Sequence, residues 1–590
     1  MEKELYDNIP SRLGDLLTNV NNGKIGLPDL QRPFVWADNK VRDLFDSMLR
    51  GYPIGYIMLW VSPEDYENTK KIGQTKKIQE HPDELVIDGQ QRLTALLAAI
   101  YGIKIKDKNY KEKNIRICFN PLTRNVEVWS ASYEKDSEWI SSINMIFDAD
   151  RAHNVPGFRR EYIKKVNEAR NKKNQPEVSE EETNAIEENI NALLNLASYS
   201  LPTLRINSKA NEEDVADIFK RVNSGGQKLT EKNFIETLLA VYDNDVHDII
   251  NKFSEKSRIP ADGTSYNPIL IVSPAHLIRM AVGLGFHRAR LQYAYMLMRG
   301  KDLATGKYSE AIRAENLKIF KDSLKTVTNL NNWHAFLNLY PEAGYLNSTL
   351  VASELAVVFS YVLWLLGKYE YKVPSIVLNK VMKKWIFMAT ITLFYTGSTE
   401  TTVEKQFADL RDVKTADEFV AYLDRVINTK LTVDFYNYTL PSALNSSSAT
   451  SPYWYGYIAA LNVLGTPMLF GTTVLAQFLR TGANGTKKAI DKHHIFPKNY
   501  LAQIGYSNDR DRNQIANFTY LDYQTNIDIS DKPPQEYVSA YRASLGEDGY
   551  KLACEQNALP ENFETMDYLE FLKERRILMA QIVKKAFEKL

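Results

Sequence analysis

The 590-residue chain has no surplus of charge: 73 lysines and arginines stand against 73 aspartates and glutamates, a formal net charge of zero at pH 7. That excludes a histone-like or polybasic protein, whose hold on nucleic acid comes from a bulk positive potential, and leaves only a local basic groove open. Cysteine is nearly missing. Cys118 and Cys554 lie far apart in the chain, which excludes a disulfide scaffold and a CxxC zinc site and fits a reducing, cytoplasmic setting. The opening Met-Glu-Lys-Glu-Leu has neither the basic nor the apolar segment of a secretory signal. No GxxxxGK[ST] occurs, so a conventional P-loop is absent, and there is no internal repeat. Long apolar runs are scarce as well. The one uncharged stretch, 435–479, is long enough in its 457–479 part to span a bilayer, but Gly465-Thr-Pro breaks it. Two buried helices joined at that step are expected, with no membrane partner.

What is present divides by pattern. The length predicts three or four domains. Residues 55–61 and 85–87 read as buried strands, 41–50 and 93–100 as helices, and 115–119 with 125–129 as a hairpin around Asn-Pro-Leu-Thr-Arg. Residues 131–200 turn helical, and the mixed charge of 159–191 reads as a solvated helical insertion. A strand at 201–206 and a helix at 212–221 follow. Residues 235–440 are helical in pattern, with aromatics such as Phe359, Tyr361, Trp364 and Tyr369 at core spacing. The Ser- and Thr-rich 444–452 reads as a linker. The expected architecture is a multidomain α+β chain: 1–240 with the insertion at 131–200, a helical middle at 241–443, and 444–590.

Two of only eight histidines are adjacent, His493 and His494, in Asp-Lys-His-His-Ile-Phe-Pro-Lys. Neighbours on a strand point to opposite faces, so one imidazole can bind metal while the other does another job. Downstream come Asn517-Phe-Thr-Tyr-Leu and, nine residues after Asn517, Asn526. This set resembles the HNH (ββα-metal) nuclease motif. The resemblance implies a divalent cation, Mg²⁺ or Mn²⁺, held by His493 and Asn526, with His494 as general base and Asn517 bonding backbone across the motif's loop. Asp491, two residues before His493, is either a supplementary ligand or structural. Lys498 either meets phosphate or is solvated.

A second set is Leu85-Val-Ile-Asp-Gly-Gln-Gln-Arg-Leu-Thr. A strand ends, Gly89 turns, and a helix starts near Gln90; the helix N–H groups and Arg92 favour an anion there. Asp88 either holds a metal or water or is an ordinary N-cap. Two further segments accompany it, Leu27-Pro-Asp-Leu-Gln-Arg-Pro-Phe-Val-Trp and Phe219-Lys-Arg-Val-Asn-Ser-Gly-Gly. Together, QRPFVW, DGQQR and FxRxNSGG resemble the N-terminal domain of the GmrSD family, a ParB/sulfiredoxin-like fold that this family joins to an HNH domain in modification-dependent (type IV) restriction. The resemblance spans about 10–240 and 445–545. It implies an NTP pocket with an NTPase activity at Asp88, Gly89, Gln90, Gln91 and Arg92, joined by Arg32, Arg221 and Asn223, and coupled to an HNH endonuclease acting on modified DNA in anti-phage defence. A homo-oligomer is compatible with it. Two other readings stay open: a nucleotide-binding DNA sensor or adaptor, and a toxin-like nuclease indifferent to modification. If DNA is the substrate, basic residues should gather in a groove near His494 and acidic ones lie elsewhere.

Overall fold

The computed structural model describes residues 5–28, 34–61, 69–70, 82–107, 111–210, 212–223, 244–298, 300–302, 305–307, 309–448, 450–480 and 490–590. Two compact units divide the chain, residues 1–249 and 250–590.

The first unit is built on a mixed sheet. In chain order it contains β1 (Tyr6–Arg12), α1 (Leu13–Asn21), β2 (Ile25–Pro28), α2 (Asp38–Leu49), β3 (Ile57–Val61), β4 (Thr69–Lys70), β5 (Glu84–Asp88) and α3 (Gln90–Tyr101). A hairpin of β6 (Ile117–Asn120) and β7 (Asn125–Val128) follows, then α4 (Asn144–Arg151), α5 (Val155–Lys172), α6 (Glu180–Leu194), β8 (Ser200–Ile206) and α7 (Glu212–Asn223). The sheet order is β1-β8-β3-β5-β2-β4. The β8–β3 and β5–β2 pairs are parallel, while β1–β8, β3–β5 and β2–β4 are antiparallel. Strand alternation sends β3 side chains to two cores. Ile57 and Leu59 join Val86, Leu93 and the apolar faces of α1 and α2. Met58 and Trp60 join Leu85, Ile87 and, from α7, Val215 and Phe219. The sheet is therefore covered on both faces, as its near-continuous apolar strands require.

The expected strands and helices of this unit are present within a few residues. The charged 159–191 segment is helical, but it is not a solvated appendage. Tyr162, Val166, Ile186 and Ile190 form an apolar stripe that belongs to the same core as Ile57. Only the opposite faces carry the charge, which is the ordinary amphipathic solution. Between the two helices Arg170 makes a two-pronged contact with Glu182 at 2.8 Å on each prong and a third bond to Glu138. The Arg170 hydrogen bond holds the Glu182 carboxyl below the usual range.

The second unit is almost wholly helical. Its elements include α8 (Pro274–Phe286), α9 (Glu310–Val327), α10 (Glu354–Leu365), α11 (Ser375–Ile391), α12 (Ala416–Lys430) and α13 (Pro452–Leu464). These lead to β9 (Ile490–His494), β10 (Phe518–Asp522), α14 (Tyr523–Ile529), α15 (Pro534–Gln556) and α16 (Tyr568–Lys589). Three of the four aromatics are core, Phe359, Tyr361 and Trp364 being buried and Tyr361 edge-on to Trp333, whereas Tyr369, beyond the end of α10, is exposed. Residues 444–452 do not behave as a linker. Leu444 is buried, Ile515 N–H donates to Ser446 O at 2.8 Å, and Arg576 reaches the Asn445 side chain. The segment is held on both sides by elements that come much later in the chain.

The uncharged stretch also departs from expectation. Its first helix, α13, stops at Gly465, whose φ of 71° is left-handed. The second helix is reduced to Leu475–Leu479. Between them a tight loop buries Met468, Leu469 and Phe470, with Phe470 stacked on Tyr541 at 4.5 Å. Among the described residues no helix is long and apolar enough to cross a membrane. The two cysteines are free and buried, and burial pushes the Cys554 thiol up to about 11.

Candidate functional site

In the second unit, β9 and β10 form an antiparallel pair in which His493 faces Thr519 across the ladder and His494 faces Phe518. Asp522, at the end of β10, then caps α14: its carboxylate accepts from Thr525 N–H and from the Thr525 hydroxyl, both at 2.9 Å. This cap turns the chain straight from strand into helix. α14 lies against both strands and carries Asn526, which is half-buried. The two histidines, Asn517 and Asn526 are thus brought into one small β–β–helix assembly. Only the strand pairing of Asp491, opposite Leu521, lies within the described structure; its side chain falls outside the described residues.

Two neighbours of His494 bear on its chemistry. Its Nε2 lies 3.0 Å from Asn513 Oδ1, and its ring meets Phe518 edge to face at 5.0 Å. With this amide oxygen as acceptor, Nε2 is the donor, the tautomer that would place the basic lone pair on Nδ1. Sequence reasoning missed Asn513. It lies in the connection between the strands, where neither periodicity nor motif spacing marks it; Asn-rich content alone is no signal.

Asn517 is fully buried. Its Oδ1 accepts from Phe496 N–H at 2.8 Å, and its Nδ2 donates to Phe496 O at 2.9 Å and to Arg512 O at 3.3 Å. Its own carbonyl accepts from Ile495 N–H. One side chain therefore ties the exit of β9 to the segment that carries Asn513. Asn517→Ala takes the side-chain partners from the Phe496 N–H and C=O, and a stability loss of about 2–4 kcal/mol is expected in chemical denaturation. Lys498 begins the short helix Lys498–Gln503 after Pro497.

Among the described residues, the donors that the motif offers a divalent cation, the His493 imidazole and the Asn526 amide oxygen, are few and neutral. Such a set suits a hard ion that keeps positions open for water and phosphate. Among the described residues no three His, Cys, Asp or Glu side chains gather as a metal cage. Charge around the site is mixed. Asp509, Arg510, Asp511 and Arg512 alternate in sign just before Asn513, and Arg512 pairs with Asp509 at 2.7 Å. This local mixing runs against the expected segregation of basic residues near His494. Lys487 and Lys488, which precede β9, lie outside the described residues.

In the first unit, β5 runs into Gly89, whose φ of 92° is left-handed, and α3 begins at Gln90. Asp88 Oδ1 accepts from Gly89 N–H at 2.8 Å. Gln90 Nε2 donates to Val86 O, and Gln91 Oε1 accepts from Val35 N–H at 3.0 Å. That last bond joins the 27–36 motif to DGQQR. Arg92 Nη1 donates to Tyr56 O at 2.5 Å, and its guanidinium occupies the space a side chain at Gly55 would fill. Burial pulls the Arg92 pKa down, against the attraction of Asp88. A Cβ on Gly89 would stand 2.3 Å from Ile57 Cδ1. Gly89→Ala is therefore expected to cost about 2–4 kcal/mol, from the left-handed backbone and the clash together, read as a lower denaturation midpoint of this unit.

The third motif shares the sheet with the second, since Phe219 packs on the face that holds Ile87. Arg221 is exposed. Arg32 and Gln31, and Ser224 to Gly226, lie outside the described residues, as does the Asn223 side chain.

Residues 13–240, nearly the whole first unit, match the family described as GmrSD restriction endonuclease, N-terminal domain. The chain is also similar to an uncharacterized protein, MJ0686, of Methanocaldococcus jannaschii. The two are 24% identical over 549 residues, which cover 89% of this chain and 85% of that protein.

Proposed function

We propose that the chain is a metal-dependent DNA endonuclease of a restriction-type defence system, with DNA hydrolysis centred on His494 in the second unit. The observation that carries this reading is the anchored imidazole. His494 stands at the end of a strand pair, its Nε2–H engaged by Asn513, on a loop that the buried Asn517 cross-braces. An imidazole held in that tautomer accepts a proton at Nδ1, so His494 would deprotonate the attacking water. His493 and Asn526 would hold the divalent cation, which when bound offsets the charge that builds on the scissile phosphate. The match of the first unit to a restriction-endonuclease domain supports DNA as the substrate.

The first unit would take a nucleoside triphosphate at the turn between β5 and α3. There the opening N–H groups of α3 and the Arg92 guanidinium offer donors to phosphate, and Asp88 and Gln91 shape the turn. Nucleotide binding or hydrolysis would govern cleavage, and modified bases or a modified backbone would mark the DNA that is cut. The balanced charge fits this, because weak non-specific capture leaves discrimination to a modification-reading site.

The test is a cleavage panel of purified modified and unmodified DNAs, crossed with each of the four NTPs and with Mg²⁺ or Mn²⁺. Cutting restricted to modified DNA and altered by one NTP is the expected result. Equal cutting of all DNAs with and without NTP would leave an indiscriminate nuclease. Binding without cutting under every condition would leave an adaptor.

A further inference from the structure

α16 presents two polar side chains on its buried side, Tyr568 and Arg575, seven residues and hence two turns apart. Arg575 is 0% exposed. It donates through Nη1 to Ala516 O at 2.7 Å and through Nη2 to Asn557 O at 3.4 Å. The Tyr568 hydroxyl donates to Asp511 O at 2.9 Å and lies 3.4 Å from Arg512 O. Its ring rests against Phe496 at 5.4 Å and Tyr506 at 5.0 Å.

A buried guanidinium is an expensive way to fill space. Burial pulls the Arg575 pKa down, against the nearby Tyr457 and Tyr537 hydroxyls. An apolar side chain of like volume would pack there at lower cost, so the arginine must earn its place through the carbonyls it orients. Those carbonyls are informative. Ala516 O lies just before Asn517, and the two carbonyls met by Tyr568 lie just before Asn513. The segment 511–516 is thus gripped at both ends from one helix, with Asn513 between the grips.

We propose that α16 is a positioning element for the His494 site. Tyr568 and Arg575 are two posts that fix the 511–516 segment and so keep Asn513 within hydrogen-bond distance of His494. The inference rests on the reading of His494 as the base. Neither post touches the reacting atoms, and both act through Asn513. A general base must be held to within about half an ångström, and the connection around Asn513 has only a single helical turn (Asp509–Arg512) and a 3-10 turn (Ile515–Asn517) of its own to do so.

Tyr568→Phe is the decisive variant, because it keeps the ring and its packing and removes only the hydroxyl. It is expected to lower kcat for DNA cleavage by about tenfold with KM unchanged. In the Asn513→Ala background the same change should have no further effect, since the route to His494 is already cut. Arg575→Lys should retain more of kcat than Arg575→Met. In the full chain, amide hydrogen exchange over 509–517 should be faster in Tyr568→Phe than in the wild type. An unchanged kcat in Tyr568→Phe, or losses that multiply in the double variant, overturns the proposal, as does unchanged exchange over 509–517. If the wild-type chain cuts no DNA while exchange still rises, the nuclease reading fails and the grip on the loop stands.

Discussion

His494→Ala is expected to slow DNA cleavage by about 10²–10⁴-fold, the range over which a positioned general base contributes. The fold should survive, because the ring is only half-buried at the end of a strand pair. The measurement is single-turnover cleavage of whichever DNA the wild type cuts best, beside a direct DNA-binding assay. Binding should hold while the rate falls. His493→Ala should also slow cleavage severely, but with a difference: raising the Mn²⁺ concentration should recover part of its activity and none of that of His494→Ala. A His494→Ala rate within a few-fold of wild type would remove the imidazole from the reaction and, with it, the assignment of the site.

Gly344→Ala should be the most damaging conservative change in the second unit. Gly344 has a φ of 89°, and a Cβ there would stand 2.1 Å from Ala459 O and 2.7 Å from its carbonyl carbon. The obstruction is backbone inside α13, which cannot swing aside as a side chain would. A loss of about 3–5 kcal/mol is expected, from strain and overpacking combined. Urea denaturation followed by near-UV circular dichroism would measure it. The contact also joins distant parts of the chain, for Asn462 Nδ2 donates to Gly344 O at 2.8 Å and Asn347 Nδ2 to Leu479 O at 2.6 Å. Residues 250–443 and 444–590 should therefore unfold in one step. Two separate transitions in the second unit would show that the Gly344 contact does not couple them.

The sequence made some of this legible and hid the rest for identifiable reasons. Strands such as Ile57–Val61 and Glu84–Asp88 are short apolar runs bounded by turn residues, and such runs are readable without tertiary information. Gly89 could be read as the turn between strand and helix for the same reason. The adjacency of His493 and His494 and the spacing to Asn526 pointed to one site, and the strand pair and α14 put those residues in one assembly. Composition misled where packing is decided at long range. Residues 444–452 carry linker chemistry but are held by Ile515 and Arg576, and the helices of 159–191 carry solvated charge on one face and core on the other. Asn513, Tyr568 and Arg575 were invisible because their partners are backbone carbonyls or a single ring nitrogen up to 59 residues away. No period and no spacing encodes such bonds.

The grip of α16 on the site has a consequence for how the protein is made. The strand pair and α14 are complete by Ile529, but the helix that holds their connection begins only at Tyr568 and runs to Lys589. At ordinary synthesis speeds of about 5–20 residues per second, several seconds separate the two. During that interval the nascent chain carries both histidines and both asparagines, yet lacks the posts that align them. On the proposed reading, a nuclease centre finished only after its own sequence motif has been made would be quiet by order of assembly, before any other control acts.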